Sequence, residues 1–199
     1  MPDATEICRN IAHLAKTNLD LERWGFREIA RLNRQGDLEI PSVIYGSDLC
    51  KIRISFSEWH PPHQTEKYTI DIYYGRLSAP DDKRTILFNN EECYCWHEIV
   101  KVLHFLDVST SEFTAKNLFT HEQIKKFREI VSSKSLTNGL PEWEIRKHLY
   151  IWERYAPRLF EVFDSQRPEL WKQYRKFLKA VYDIKGRNPN IKPPLDQVC

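Results

Sequence analysis

The stretch Leu49–Ser57, with the sequence LCKIRISFS, decides the fold class because apolar and polar side chains alternate along it. Successive side chains of a β-strand point to opposite faces, so this alternation is typical of a half-buried strand. Ile52, Ile54 and Phe56 would then share one face, and the polar residues between them would share the other. The stretch therefore predicts a strand with one face in a hydrophobic core.

Other segments in the same part of the chain carry related patterns. Tyr68–Tyr74 repeats the alternation, and Val43–Tyr45 and Thr85–Phe88 are shorter candidates. The connections contain Gly, Pro, Ser and Asp, which favour turns. Short connections suit antiparallel neighbours, because parallel strands need long crossovers. The β-rich segment 40–90 therefore predicts a small antiparallel sheet of three to four strands.

The segments on either side of it have helical periodicity. In residues 3–35, apolar residues recur at intervals typical of a helix. They include Ile7, Ile11, Leu14, Leu21, Phe26, Ile29 and Leu32. A break near Asn18 or Gly25 would divide this segment into two helices. In residues 90–185, an apolar helical face is predicted by Cys95, Ile99, Val102 and Leu106.

Local signals predict further helix boundaries in the second half. Residues 109–112 and 120–123 each fit the pattern of a capping box, which marks the first turn of a helix. Pro157 is expected to kink or divide its helix, because proline lacks an amide hydrogen and clashes with the preceding turn. The stretch Asp164–Pro168 is predicted to open a last helix that runs to about Ile184.

Together these patterns predict an α+β fold. N-terminal helices precede the small antiparallel sheet, and a C-terminal helical half packs on it. We expect a single domain over residues 1–186 and an extended or mobile tail over residues 187–199, where proline and asparagine are frequent.

Composition excludes several classes of protein. The chain has 199 residues with 41% hydrophobic and 13% aromatic residues, too many for a disordered protein. Thirty basic residues against 28 acidic ones give a net charge of +2, too balanced for a protein coated by nucleic acid or anionic lipid. No apolar run is long enough for a membrane helix, and the N-terminus does not resemble a secretory signal. With five cysteines, free thiols in the cytoplasm are expected.

The densest group of reactive residues lies at Asn89–His97. If Asn90 caps a helix, Cys93 occupies its first turn, where the helix dipole lowers a thiol pKa, and His97 follows one turn later as a base. This pair is the candidate site of a thiol-dependent enzyme. The alternative interpretation is that Cys95 and Trp96 pack in the core and the pair only flanks them.

The same cysteines have a spacing that also suggests zinc, with His60 and His63 as further ligands. On a helix, however, Cys95 would lie about 200° around the axis from Cys93, so the ligands would not converge. We therefore expect no metal site and no cofactor.

Two weaker patterns lie in the β-rich segment. Ala79–Lys83 has the Pro-Asp and Lys of metal-dependent nucleases, but its adjacent acids fit a turn better. The polar face of the sheet mixes cations and tyrosine, as RNA-binding sheets do. Its members would be Lys51, Arg53, Tyr73, Arg76 and Arg84.

The last helix carries a basic stripe on one face. Its members are Lys172, Arg175, Lys176 and Lys179. Residues at these spacings are neighbours on a helix surface, and such a row can follow the phosphates of a nucleic acid. A solvated helix face has the same pattern.

The aromatic residues of the helical half suggest a contact with another protein. The four candidates are Trp143, Tyr150, Trp152 and Tyr155. One face of a single helix cannot hide them all, so the helix is either enclosed or covered by a partner. Glycine loops for cofactors and the common hydrolase motifs are absent from the sequence. We therefore expect a non-catalytic protein that binds a protein partner, with nucleic-acid binding and thiol catalysis as alternatives.

Overall fold

The computed structural model describes residues 4–32, 41–59, 67–79, 85–88, 91–94, 96–113, 120–122, 125 and 140–182. Helices and strands follow one another within these residues. Their order is α1 (Ala4–Asn18), β1 (Arg27–Leu32), β2 (Ser42–Gly46), β3 (Lys51–Trp59), β4 (Lys67–Gly75), β5 (Thr85–Phe88), β6 (Glu91–Tyr94), β7 (His97–Glu98), α2 (Ile99–Phe105), a 3-10 turn (Thr110–Phe113), α3 (Leu140–Glu161) and α4 (Pro168–Tyr182). This arrangement confirms the predicted α+β class.

The main sheet has five antiparallel strands in the order β1-β2-β3-β4-β7. β2, β3 and β4 form three strands of the predicted meander, and β3 pairs with β4 along its whole length, from Lys51 opposite Gly75 to Trp59 opposite Lys67. The strand beside β2 is β1, from a segment that was predicted to be helical. The sheet is larger than the predicted three to four strands, because β1 and β7 come from segments with helical periodicity. β5 is not part of this sheet and pairs with β6 as a separate two-stranded unit.

The hydrophobic core lies between the sheet and the helices. Ile52 and Ile54 of β3 are fully buried on this side, as the alternation predicted. α1 packs across β2 and β3 and against α3, and α3 also covers β4. The ring of Trp152, on α3, stacks on Phe26 with centroids 5.5 Å apart and meets Phe160 edge to face. Side chains from the N-terminal segment therefore close the core against the C-terminal half.

The prediction of helix through residues 3–35 is wrong after Asn18. The chain turns at Leu21–Gly25, where Gly25 has a φ of 73°, and continues as β1. The register of β1 shifts between Glu28 and Ala30, so Ile29 is an extra residue in the strand. A bulge of this kind puts residues three apart on the same face, which imitates the spacing of a helix.

The prediction of helix from residue 90 is also wrong for its first residues. β6 and β7 occupy Glu91–Tyr94 and His97–Glu98, and α2 begins only at Ile99. Glu98 precedes the helix with an extended backbone, φ −70° and ψ 144°. The apolar spacing holds from Ile99 onward, since Ile99 and Val102 are buried. Cys95 lies outside the described residues.

Helices in the second half follow the local signals, with one exception. The box at 109–112 begins the 3-10 turn, and His121 and Glu122 are helical after Thr120. Pro157 does not divide its helix, since α3 continues through it to Glu161. α4 begins at Pro168 as predicted and is described to Tyr182. The predicted tail at 187–199 lies outside the described residues, and the single domain stays a prediction.

Candidate functional site

The predicted Cys93 and His97 pair loses its helical geometry. Cys93 lies in β6 opposite Ile86, and its side chain is outside the described part of the chain. His97 lies in β7 with 3% of its surface exposed. Rings of Phe163, Trp171 and Tyr174 surround it, with centroids 5.2 to 5.7 Å away. The helix that was expected to activate the thiol is therefore absent, and the imidazole is packed among aromatic rings.

The thiols that the structure does describe are poorly suited to nucleophilic chemistry. Cys8 and Cys50 are both free and completely buried. Burial raises the pKa of Cys50 to about 12, so this thiol stays protonated at neutral pH. Where the structure is described, no three or more Cys, His, Asp or Glu side chains are grouped as metal ligands. His60 and His63, the other zinc candidates, lie outside this part, as do Asp81, Asp82 and Lys83.

The polar face of the sheet is covered at Lys51 and Arg53, which corrects the prediction that these two residues are exposed for RNA, while Tyr73 and Arg76 are half-buried. Lys51 and Arg53 are only 3% and 2% exposed. The Arg53 Nε donates to the hydroxyls of Ser42 and Ser55, each at 3.0 Å, and the Lys51 ammonium donates to the Ala79 carbonyl. Trp96, Ile44 and Ala79 pack on the same side of the sheet. Buried cations need such partners, so these residues support the fold. Arg84 lies outside the described residues.

Trp152 is also buried, so it cannot contact a partner as predicted. It has no exposed surface, and its Nε1 donates to the Tyr74 hydroxyl at 2.7 Å. That hydroxyl lies 2.7 Å from Nδ1 of His148. Desolvation raises the pKa of Tyr74 and lowers the pKa of His148, so both groups are neutral. The Tyr74 oxygen accepts from Trp152, and Nδ1 of His148 is the one acceptor for its O–H among the described residues, so we assign the proton of His148 to Nε2 and a hydrogen bond from Tyr74 to Nδ1. The three side chains then form a closed network in the core.

Of the other three aromatic residues that were predicted to contact a partner protein, the structure describes the side chains of two. Tyr150 and Tyr155 are partly exposed and both pack on Phe113, with centroids 6.1 and 6.0 Å away. The Tyr155 hydroxyl donates to Glu112 at 3.1 Å. The side chain of Trp143 lies outside the described part of the chain. The aromatic surface is thus smaller than four residues, and it stays a prediction.

The basic stripe lies on α4, where Lys172, Lys176 and Lys179 are exposed and Arg175 is half-buried. Lys172 forms a long surface ion pair with Glu169, at 3.8 Å. Exposed pairs of this kind contribute little free energy. The stripe is accessible as predicted, but its binding to phosphates stays a prediction.

A cleft that was not expected from the sequence lies between α1 and β1. It has a volume of about 800 Å³. One wall is a single face of α1 at helical spacings i, i+3, i+4 and i+7, and the other wall is β1 with the turn before it. The lining residues are Arg9, Ala12, His13, Lys16, Leu21, Glu22, Gly25, Phe26, Arg27, Glu28, Arg31 and Tyr45.

The cleft exists because α1 packs over β2 and β3, while β1 is the outermost strand beside them. The bulge at Ile29 turns Glu28 and Arg31 to the same face, where they form a two-point ion pair with N–O distances of 2.5 and 3.0 Å. In a regular strand, residues three apart would point to opposite faces. This pair forms part of the β1 wall.

Tyr45 of β2 lies at the floor of the cleft. Its side chain is 4% exposed, and its hydroxyl has no hydrogen-bond partner within the described ranges. Burial, followed by the charge of Glu28, raises the pKa of Tyr45 to about 12, with Arg31 opposing the shift. The phenol is therefore protonated over the working pH range and can donate a hydrogen bond to a ligand.

The sequence carried one signal for this site. Arg9, Ala12, His13 and Lys16 are spaced as one helix face, and a helix side lined by small and basic residues could have been noticed. The opposite wall could not, because the segment 27–32 was interpreted as helix.

None of the described helices is both long enough and apolar enough to cross a lipid bilayer.

Comparisons of this chain with protein-family models, with curated proteins and with solved structures gave no match.

Proposed function

We propose that this chain is a non-catalytic, cytoplasmic interaction protein that binds a segment of a partner protein in the cleft between α1 and β1. The observation that carries the proposal is the cleft itself, with its volume of about 800 Å³ and walls of charged side chains. A concave surface with a few polar groups above an apolar floor is the usual form of a binding site. We prefer the cleft to the predicted aromatic surface, because Trp152, one of the four aromatic candidates, is buried.

Chemistry by the described residues is poorly supported. His97 and His148 are each 3% exposed and enclosed by rings or other core side chains. The free thiols of Cys8 and Cys50 are buried, and reduced thiols suit the cytoplasm. The cleft contains neither a cysteine nor two carboxylates arranged around a metal position, among the residues that line it. Binding without catalysis is therefore the function that these side chains fit best.

A peptide selection tests the proposal. Random peptides displayed on phage are selected against the wild-type protein and then counter-selected against Ala12→Trp, which fills the cleft. We expect peptides that bind the wild-type protein and lose binding to the variant. If Ala12→Trp fails to fold, His13→Trp at an exposed lining position replaces it. Recovery of no peptide whose binding depends on the cleft contradicts the proposal.

Nucleic-acid binding by α4 is the second candidate, and the exposure of Lys172, Lys176 and Lys179 on one helix favours it. Replacing Lys176 and Lys179 by Glu should then weaken the binding of an oligonucleotide and reduce its salt dependence. The absence of any salt-dependent binding by the wild-type protein removes this candidate.

A further inference from the structure

The side chains that line the cleft carry an excess of positive charge. Four Lys and Arg residues face two Glu residues there. Arg31 and Glu28 satisfy each other through their two-point ion pair. Arg9 and Lys16 on α1 are exposed and form no ion pair with other described residues, which leaves Glu22 as the one unpaired acid among the lining residues. Arg27 adds less to the cleft, because it precedes Glu28 in β1 and its side chain points to the other face of the strand. The local potential therefore favours an anionic ligand.

The floor of the cleft adds a hydrogen-bond donor that a ligand can use. Tyr45 is 4% exposed and its hydroxyl has no partner in the described structure. Its oxygen is not among the fully buried polar atoms, so the hydroxyl reaches the water of the cleft, and a ligand acceptor can take the place of that water. A carboxylate accepts such a hydrogen bond strongly, because it is ionised.

The spacing of the cations indicates the form of the ligand. Arg9 and Lys16 are separated by two turns of α1, which is about 10 Å along the helix axis. An extended peptide covers this length in about three residues, and its alternate side chains point to the same side. Carboxylates at alternate positions would therefore face the basic wall one after another.

We infer that the cleft holds an extended acidic segment of the partner protein, with Asp or Glu at alternate positions. This inference rests on the proposed function and adds the chemistry of its ligand. The acidic side chains meet Arg9 and Lys16, and one carboxylate reaches the hydroxyl of Tyr45.

Single-stranded nucleic acid fits the same cleft less well. Proteins that bind it stack its bases on accessible aromatic rings. The aromatic residues that line the cleft are Phe26 and Tyr45, which are 2% and 4% exposed. Glu22 and Glu28 also stand among the cations and would repel closely spaced phosphates. An acidic peptide can place its carboxylates between these charges.

Fluorescence polarisation with the whole chain tests the inference. Three labelled peptides of equal length alternate Ser with Glu, Gln or Lys, and a single-stranded oligothymidine serves as the nucleic-acid probe. The variants are Lys16→Glu, Arg9→Glu and their combination. Lys125→Glu is the matched control, because it makes the same change of charge at an exposed helical position that does not line the cleft.

We expect the Glu peptide to bind the wild-type protein and the Gln and Lys peptides to bind at least about tenfold more weakly. Each reversal in the cleft should weaken the binding of the Glu peptide about threefold to tenfold, while Lys125→Glu changes its affinity less than about twofold. The double variant should prefer the Lys peptide.

Three outcomes overturn the inference in different ways. If the Gln or Lys peptide binds the wild-type protein as well as the Glu peptide and loses binding in Ala12→Trp, the cleft binds peptides without charge preference, and the proposed function survives alone. If oligothymidine binds more tightly than any peptide and the cleft reversals abolish its binding, the cleft is a nucleic-acid site. Failure of every probe, together with an empty peptide selection, removes both proposals.

Discussion

Two tyrosines on the helix-covered face of the same sheet have opposite surroundings. The Tyr74 hydroxyl, under α3, accepts from Trp152 and donates to His148, both at 2.7 Å. The Tyr45 hydroxyl, beside α1, has no hydrogen-bond partner in the described structure and lies on the floor of a cleft. Burial raises the pKa of both. A perturbed pKa alone therefore does not identify a binding site, whereas an unused donor in an open cleft is evidence for one.

Removal of the Trp152 ring should have the largest effect on the free energy of unfolding. It tests how much the packed core around Tyr74, His148 and Trp152 stabilises the fold. Trp152→Ala removes a fully buried ring that contacts Phe26 and Phe160. We expect the free energy of unfolding to fall by about 4 kcal/mol, through lost burial and an unfilled cavity. Urea denaturation measures it, and Glu153→Ala at the exposed neighbouring position is the control, with a change within about 0.5 kcal/mol. Equal losses in both variants would contradict the assignment of Trp152 to the core.

Removal of each tyrosine hydroxyl compares the two regions directly. Tyr74→Phe leaves the indole donor of Trp152 and the Nδ1 acceptor of His148 unpaired, so a loss of about 2 kcal/mol is expected. Tyr45→Phe breaks no hydrogen bond between described residues, and its cost should stay below about 0.5 kcal/mol. The same urea measurement applies to both variants. Similar costs for the two would remove the distinction between the closed network and the open floor.

The closed network also predicts a pH dependence. Burial lowers the pKa of His148 below its ordinary value, so below about pH 6.5 the unfolded chain binds a proton that the folded chain does not. The free energy of unfolding should therefore fall as the pH decreases from about 7.5 to about 5.5, by about 1 kcal/mol from this residue. His148→Leu should lose this part of the slope. If the free energy of unfolding of the wild-type protein changes with pH as steeply as that of His148→Leu, His148 can be protonated in the folded state.

The smallest effect is expected at the ion pair on the cleft wall. Arg31 and Glu28 have side chains that are 41% and 36% exposed, so solvent screens their attraction. Glu28→Gln should change the free energy of unfolding by less than about 1 kcal/mol, while it adds positive charge to the cleft and strengthens binding of the Glu peptide. Urea denaturation and polarisation measure the two effects. A large loss of stability without a change in affinity would mean that the pair supports β1 rather than the cleft.

Much of the fold could be predicted from local sequence patterns. Two segments were wrongly predicted to be helical, because their apolar or reactive residues recur at the interval of a helical turn although they lie in strands. Alternation in β3 and β4 correctly predicted paired antiparallel strands. Ile29 and Leu32 are three residues apart, as on a helix face, but they lie in β1, where a bulge at Ile29 lets residues at this interval share one face of the strand. His97 follows Cys93 at the interval of a helical turn, yet each lies in a different strand. Spacing in sequence does not distinguish these cases, because the bulge and the strand pairing depend on distant neighbours.

The candidate sites show the same limit. The sequence predicted an accessible basic stripe on α4, and its lysines are exposed, because a charged helix face opposite an apolar one needs no distant partner. It also predicted an exposed polar sheet face at Lys51 and Arg53 and an exposed Trp152. All three side chains are buried. Whether a polar face remains in contact with water depends on what the rest of the chain places over it.

The amino-acid sequence by itself determined the α+β class, the antiparallel pairing at the centre of the sheet, the position of the last helix and the near-balanced charge. These features follow from periodicity, turn chemistry and composition, which act over a few residues. The tertiary structure decided the sheet order, the burial of both faces of β3 over residues 51–55 and the cleft in which residues of α1 and β1 meet. Those features arise from packing between segments far apart in the chain, and only their positions in space show which polar groups are paired and which are available to a ligand.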